Sequence, residues 1–92
     1  MPKNKWFEIL GDEHNLEILS LLMDGRPRNL YTISRQSKIY PKTLNSHLKE
    51  LMRFGVVEAE SIGGIKLYRI RQDRLTEEVL NFLMWLAREH DE

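Results

Sequence analysis

Apolar positions along the chain keep a helical period up to Gly55 and a strand period just after it, and helical spacing returns near the C-terminus. Trp6, Phe7, Ile9 and Leu10 form a brief apolar segment closed by Gly11-Asp12. Residues 13–23 follow with Leu16, Ile18, Leu19, Leu21, Leu22 and Met23, which cover more than half of a helix circumference. That breadth predicts a central helix packed on more than one side. Gly25 and Pro27 stop it. Asn29 is a suitable cap for a third helix over residues 30–36, with Leu30 and Ile33 inward. A turn over residues 37–40 leads to Pro41, which suits a first helical position because its missing N–H costs nothing there. The fourth helix then runs to Phe54 and stops at Gly55.

Strands are expected over residues 56–62 and 65–71, joined by Gly63-Gly64, which can adopt the positive φ angles of a two-residue hairpin turn. Lys66, Tyr68 and Ile70 share one side of the return strand. A last helix spans residues 73–90. The chain therefore reads as mainly α with one small β-hairpin, in the order α-α-α-α-β-β-α.

The third and fourth helices are short, joined by a tight turn and followed by the hairpin. This is the helix-turn-helix arrangement, whose second helix enters the DNA major groove. The fourth helix suits that use. Leu44, Leu48, Leu51 and Met52 lie together on one side, with His47 and Phe54 beside them. Lys42, Asn45, Ser46, Lys49 and Arg53 form a contiguous opposite arc, with Thr43 and Glu50 at its edge. Lysine and arginine can meet phosphates or guanine, asparagine can bond adenine bidentately, and the hydroxyls can bond either.

Composition changes this picture little. The 92 residues make one domain, 41% hydrophobic and 30% charged, within the range of globular proteins. Net charge is zero, which does not favour a nucleic-acid partner until its distribution is examined. Between Gly25 and Gly55 stand Arg26, Arg28, Arg35, Lys38, Lys42, Lys49 and Arg53 against Glu50 alone. From Asp73 onward the balance is acidic. A local basic patch governs phosphate binding more than the total does.

The segments LGDEHNLEILSLLMDG, LYTISRQSKIYPKTLNSHLKELMRFGVVEAE and GGIKLYRI resemble winged-helix repressors of the ArsR type, and more loosely of the MarR type. The resemblance covers roughly residues 9–71. It is most specific in TLNSHLKELMRFGVV, where Thr43, Leu44, His47, Leu48, Lys49, Leu51, Gly55 and Val57 fall on similar residues of the family. It implies a single winged helix-turn-helix domain over residues 1–92, with the helix-turn-helix about 29–54, the wing about 56–71 and a dimerisation helix about 73–90. It also implies that Lys42, Thr43, Asn45, Ser46 and Lys49 reach double-stranded DNA. The expected DNA-binding set adds Arg53, Arg35, Lys38 and Lys66.

Three departures stand out. Lys38 occupies the usual turn glycine, so either the turn differs or Lys38 is strained. Tyr40 replaces the usual Ser or Thr cap. Ile62 and Ile65 flank a wing tip with little charge nearby, and could pack on the domain or on a partner.

Repressors of this type often sense metals through cysteines or through Asp, Glu and His on the last helix. There is no cysteine, and Asp73 with His90-Asp91-Glu92 forms no repeated pair on one face, so no metal or other cofactor is expected. His47 is expected to pack between core and groove, with DNA contact as the alternative. No nucleophile–base spacing or phosphate loop is present, and no enzyme activity is expected.

The last helix carries more apolar surface than one face needs: Leu75, Val79, Leu80, Phe82, Leu83, Met84, Leu86 and Ala87, with Trp85 among polar neighbours. Such an excess marks a partner surface. A homodimer is expected through Trp6, Phe7, Leu80, Leu83, Met84 and Trp85; the alternative is that both terminal helices wrap their own domain. With no signal peptide and no apolar run of the ~20 residues that a membrane span requires, a cytoplasmic location and no membrane partner are expected. The expected function is a dimeric, sequence-specific regulator of transcription, a repressor by resemblance. The alternative is a winged-helix protein–protein interaction module of transcription or replication machinery, and the sequence leaves any small-molecule effector undefined.

Overall fold

A computed structural model of the chain describes the backbone of residues 5–90 and the side chains of residues 7–83, 85–86 and 88–89. Its elements are α1 (Lys5–Leu10), α2 (Glu13–Leu22), β1 (Arg28–Asn29), α3 (Leu30–Ser37), α4 (Pro41–Phe54), β2 (Val57–Ile62), β3 (Ile65–Ile70) and α5 (Arg74–His90). The expected order holds, with one addition. β1 pairs antiparallel with β3, placing Arg28 opposite Tyr68 and Asn29 opposite Leu67, so the sheet has three strands in the order β1-β3-β2. Two residues are too few to show a period of two, which is why the strand was not legible in the sequence.

Helix starts follow local capping chemistry. Asp12 accepts from the Asn15 N–H at 3.1 Å, Asn29 from the Thr32 N–H at 2.8 Å and Asp73 from the Thr76 N–H at 2.8 Å. Asn29 therefore belongs to β1 and caps α3 as well. It ties the start of the helix-turn-helix to the central strand of the sheet. In the β2–β3 turn both glycines have positive φ, 57° and 83°, and Ile62 stands opposite Ile65.

The core joins Ile18, Leu19 and Leu22 of α2 to Ile33 of α3, to Leu44, Leu48 and Leu51 of α4, and to Val57, Tyr68 and Ile70 of the sheet. α2 touches α1, α3, α4 and β3, as a central helix should. Leu16 departs from that expectation and is exposed, while Leu21 is only partly buried. α5 packs on the body through Thr76, Leu80 and Leu83. Leu80 is 5% exposed, which corrects its assignment to a dimer face: it is part of its own chain's core.

The link from α2 to β1 closes on an ion pair. Asp24 Oδ1 accepts from Arg28 Nη1 and from the Arg26 N–H, each at 2.9 Å. Arg28 beside it, and then the Arg26 amide, hold the Asp24 carboxyl well below the usual carboxylate range. A depressed folded-state value means that the carboxylate stabilises the fold above its unfolded value, and that this is lost as pH falls toward the folded one. Wild type should thus exceed Asp24→Asn in stability above about pH 4, with the gap closing in stronger acid. Urea midpoints of both proteins at neutral and acid pH check this; a gap independent of pH would contradict it. The pairing also removes Arg28 from the pool of free cations, because its partner lies just outside the basic stretch.

Candidate nucleic-acid interface

α4 is positioned by its own apolar side. Leu44, Leu48 and Leu51 are fully buried, and Met52 and Phe54 pack partly against the core. Pro41 begins the helix and Gly55, at φ 97°, ends it with its N–H on the carbonyls of Leu51 and Met52. Burying one side fixes which residues face outward. Lys42, Asn45, Ser46, Lys49 and Arg53 together line one surface groove of ≈ 700 Å³. Glu8, Ile9, Glu50 and Phe54 complete it. Two acids thus stand beside the cations. Glu8 was not expected there, since no pattern in the sequence shows that α1 lies beside α4.

The remaining members of the expected DNA-binding set lie elsewhere. Thr43 is half-buried at the edge of the arc. Arg35 sits on α3, its guanidinium 5.6 Å from the centre of the Tyr31 ring, close enough for a cation–π contact. Lys38 is exposed and left-handed, φ 61°, which resolves the turn question in favour of a strained lysine. Lys66 is exposed on β3, 5.5 Å from the Tyr68 ring centre. Arg69 is committed to Glu58 across the β2–β3 ladder at 2.8 Å, so the wing presents little free positive charge. Ile62 and Ile65 are exposed at the tip, which decides against their packing on the domain.

His47 turns toward α2. Its Nδ1 lies 2.9 Å from Asn15 Oδ1 and 3.7 Å from Asp12 Oδ1, and its ring centre is 5.0 Å from that of His14. Because a carbonyl oxygen only accepts, Nδ1 is the donor. The packing role is therefore the one the geometry supports. Asn15, fully buried, was not legible as its partner: the two are 32 positions apart. Among the described residues no group of three or more His, Asp or Glu is placed to hold a metal ion, and no helix is long and apolar enough to cross a membrane.

A second surface lies on the terminal helices. Phe82 and Trp85 are exposed and stack at 6.0 Å between ring centres, and Phe7 on α1 is also exposed. Leu83 is partly buried. Trp85 is thus one half of an aromatic pair on α5. The Trp6 and Met84 side chains, and His90, Asp91 and Glu92 as possible ligands, lie outside the described residues.

A helix pair whose second member turns a cationic, amide-bearing face outward, followed by a two-stranded wing, defines a winged helix-turn-helix DNA-binding domain. The chain belongs to the ArsR family of bacterial regulatory proteins, whose sequence profile matches residues 12–59. It is a DNA-binding transcriptional regulator and not an enzyme.

Solved structures agree in fold. A homodimeric winged helix-turn-helix DNA-binding domain from Mycobacterium bovis, described as a possible ArsR-family transcriptional regulator, is 28% identical with a TM-score of 0.77, over 90% of this chain and 75% of that one. The transcriptional regulator YodB from B. subtilis, in its reduced form, is 25% identical with a TM-score of 0.73, over 100% and 97%. The transcriptional repressor BigR from Xylella fastidiosa is 20% identical with a TM-score of 0.78, over 94% and 83%. No curated protein sequence matches the chain significantly.

Proposed function

We propose that the protein is a homodimeric, sequence-specific repressor that lays α4 in the major groove and blocks a promoter in the cytoplasm. The observation that carries this reading is the single groove lined by Lys42, Asn45, Ser46, Lys49 and Arg53. In it the lysines and Arg53 meet phosphates or guanine, while Asn45 and Ser46 meet base edges. Thr43, Arg35, Lys38 and Lys66 extend the contact along the backbone on either side. Dimerisation is supported by the exposed aromatics of α1 and α5 and by the homodimeric state of the M. bovis domain. A two-fold dimer sets its two α4 helices about 34 Å apart, one DNA turn, and selects a pseudo-palindromic site. The repressor role extends to this chain what is said of BigR.

Selection of bound sequences from random duplexes, with salt dependence measured on the winner, tests the reading. A palindromic consensus is expected; sequence-indifferent binding would overturn it. Lys49→Ala should weaken binding to every duplex alike and lower the salt slope by about one. Asn45→Ala should cost about 1–3 kcal/mol on the selected site alone.

The exposed wing tip favours a second reading, in which Ile62 and Ile65 dock a protein partner of the transcription or replication machinery. Binding of such a partner should be lost on Ile62→Asp or Ile65→Asp while binding to the selected duplex persists.

A further inference from the structure

Tyr40 is the most exposed of the large hydrophobic side chains described, at 82%, and it stands at the leading end of α4. Its position is that of the helix cap, yet its side chain makes no capping bond. A serine, threonine, asparagine or aspartate there would satisfy one of the open N–H groups of the first turn. The fold gains neither a cap nor burial from this residue.

Its backbone is nevertheless held firmly. Pro41 disfavours the helical region for the residue before it, and Tyr40 adopts φ −58°, ψ 142° accordingly. The preceding turn is pinned by Ile39, which is buried, by the Ser34 hydroxyl on the Ile39 carbonyl, and by the Ile39 N–H on Ser37 Oγ at 3.3 Å. Left-handed Lys38 sets the bend. The Tyr40 carbonyl accepts the first bond of the helix from the Leu44 N–H at 2.8 Å. A rigid mount therefore presents a ring with two side-chain torsions, which loses little entropy on contact.

We propose that Tyr40 determines specificity by packing its ring on the C5-methyl group of a thymine in each half-site. The inference rests on the reading of α4 as the major-groove helix. Residues at the start of such a helix meet base edges, and the thymine methyl is the one apolar group displayed there. Asn45 and the cations of the groove bond polar edges and phosphates, while Ile9 is buried and Phe54 packs against the core, so none of these offers the apolar face that a methyl group needs. The ring supplies it.

The test uses the full chain and the duplex selected above, with each thymine of one half-site replaced in turn by deoxyuridine. At one position this should weaken wild type and Tyr40→Phe about fourfold, the equivalent of ~0.8 kcal/mol for one buried methyl group. Tyr40→Ser should bind the original duplex more weakly and show no response to deoxyuridine at that position. Its Tm should rise, because serine restores the cap. Opposite signs for stability and recognition separate a DNA contact from a merely structural role.

The inference is overturned if Tyr40→Ser retains the wild-type response at every position, or if the half-site contains no thymine. It is equally overturned if Tyr40→Phe binds as weakly as Tyr40→Ser without any deoxyuridine effect, which would assign the hydroxyl to a phosphate. A wild-type protein with no preferred duplex overturns this inference and the reading of α4 together. A clear preference without a methyl response that depends on Tyr40 overturns this inference alone.

Discussion

Replacing Leu48 with alanine is expected to lower the stability of the fold by about 2–5 kcal/mol. Leu48 is fully buried on the inner side of α4, within the cluster that joins α4 to α2, α3 and the sheet. Alanine removes three side-chain carbons and leaves a cavity that α4 can fill only by moving toward α2. Movement is opposed by Leu44 and Leu51, both also fully buried, and by the His47–Asn15 hydrogen bond. Small domains have only about 5–15 kcal/mol in total, so a loss of this size shifts a large fraction of the margin. Urea unfolding at fixed protein concentration measures it, with a lowered midpoint and an unchanged slope. Leu48→Ile should cost less than about 1.5 kcal/mol because the volume is kept. A loss under 1 kcal/mol for alanine would mean that α4 is not anchored where the structure puts it.

The second large effect concerns assembly. Phe82→Glu combined with Trp85→Glu is expected to convert a dimer to a monomer with little change in the fold. Both rings are exposed, neither belongs to the chain's buried core, and together they form one stacked apolar patch. Charging the patch on both protomers adds two acids per chain to a surface that must lose water on contact. Separated protomers lose the effective concentration that links two half-sites, so affinity for the paired site should fall by about 10²–10⁴. Binding to a single half-site should persist. Gel filtration and titration of both duplexes read the two quantities. A variant that stays dimeric would move the interface away from α5. Leu80 is unsuited to this test: a charge there would enter the core and report on folding.

The variants test different kinds of inference because the chain reveals its features at different ranges. Local chemistry was legible. The apolar period located the helices, Asn29 and Gly55 bounded two of them, and Gly63-Gly64 located the turn. The outward arc of α4 was legible too, since burial of Leu44, Leu48 and Leu51 turns Lys42, Asn45, Ser46, Lys49 and Arg53 toward the opposite side. Long-range pairing was not. β1 has two residues and exists only because β3 lies beside it. Asn15 reads as an ordinary polar residue on α2 until His47 arrives from another helix. Arg28 counted toward the basic stretch although Asp24, just outside it, pairs with its guanidinium.

The same division runs through both surfaces of the protein. Periodicity and turn chemistry follow from each residue's own torsions and from neighbours three or four positions away, so composition along the chain suffices to state the fold class and the face of α4. Which apolar residues of α5 turn inward depends on how the helix docks on a body assembled from distant segments. Only that docking buries Leu80 while leaving Phe82 and Trp85 about half exposed. Packing direction is a property of the assembled core, and it alone separates the residues that hold this domain together from those left exposed at its surface.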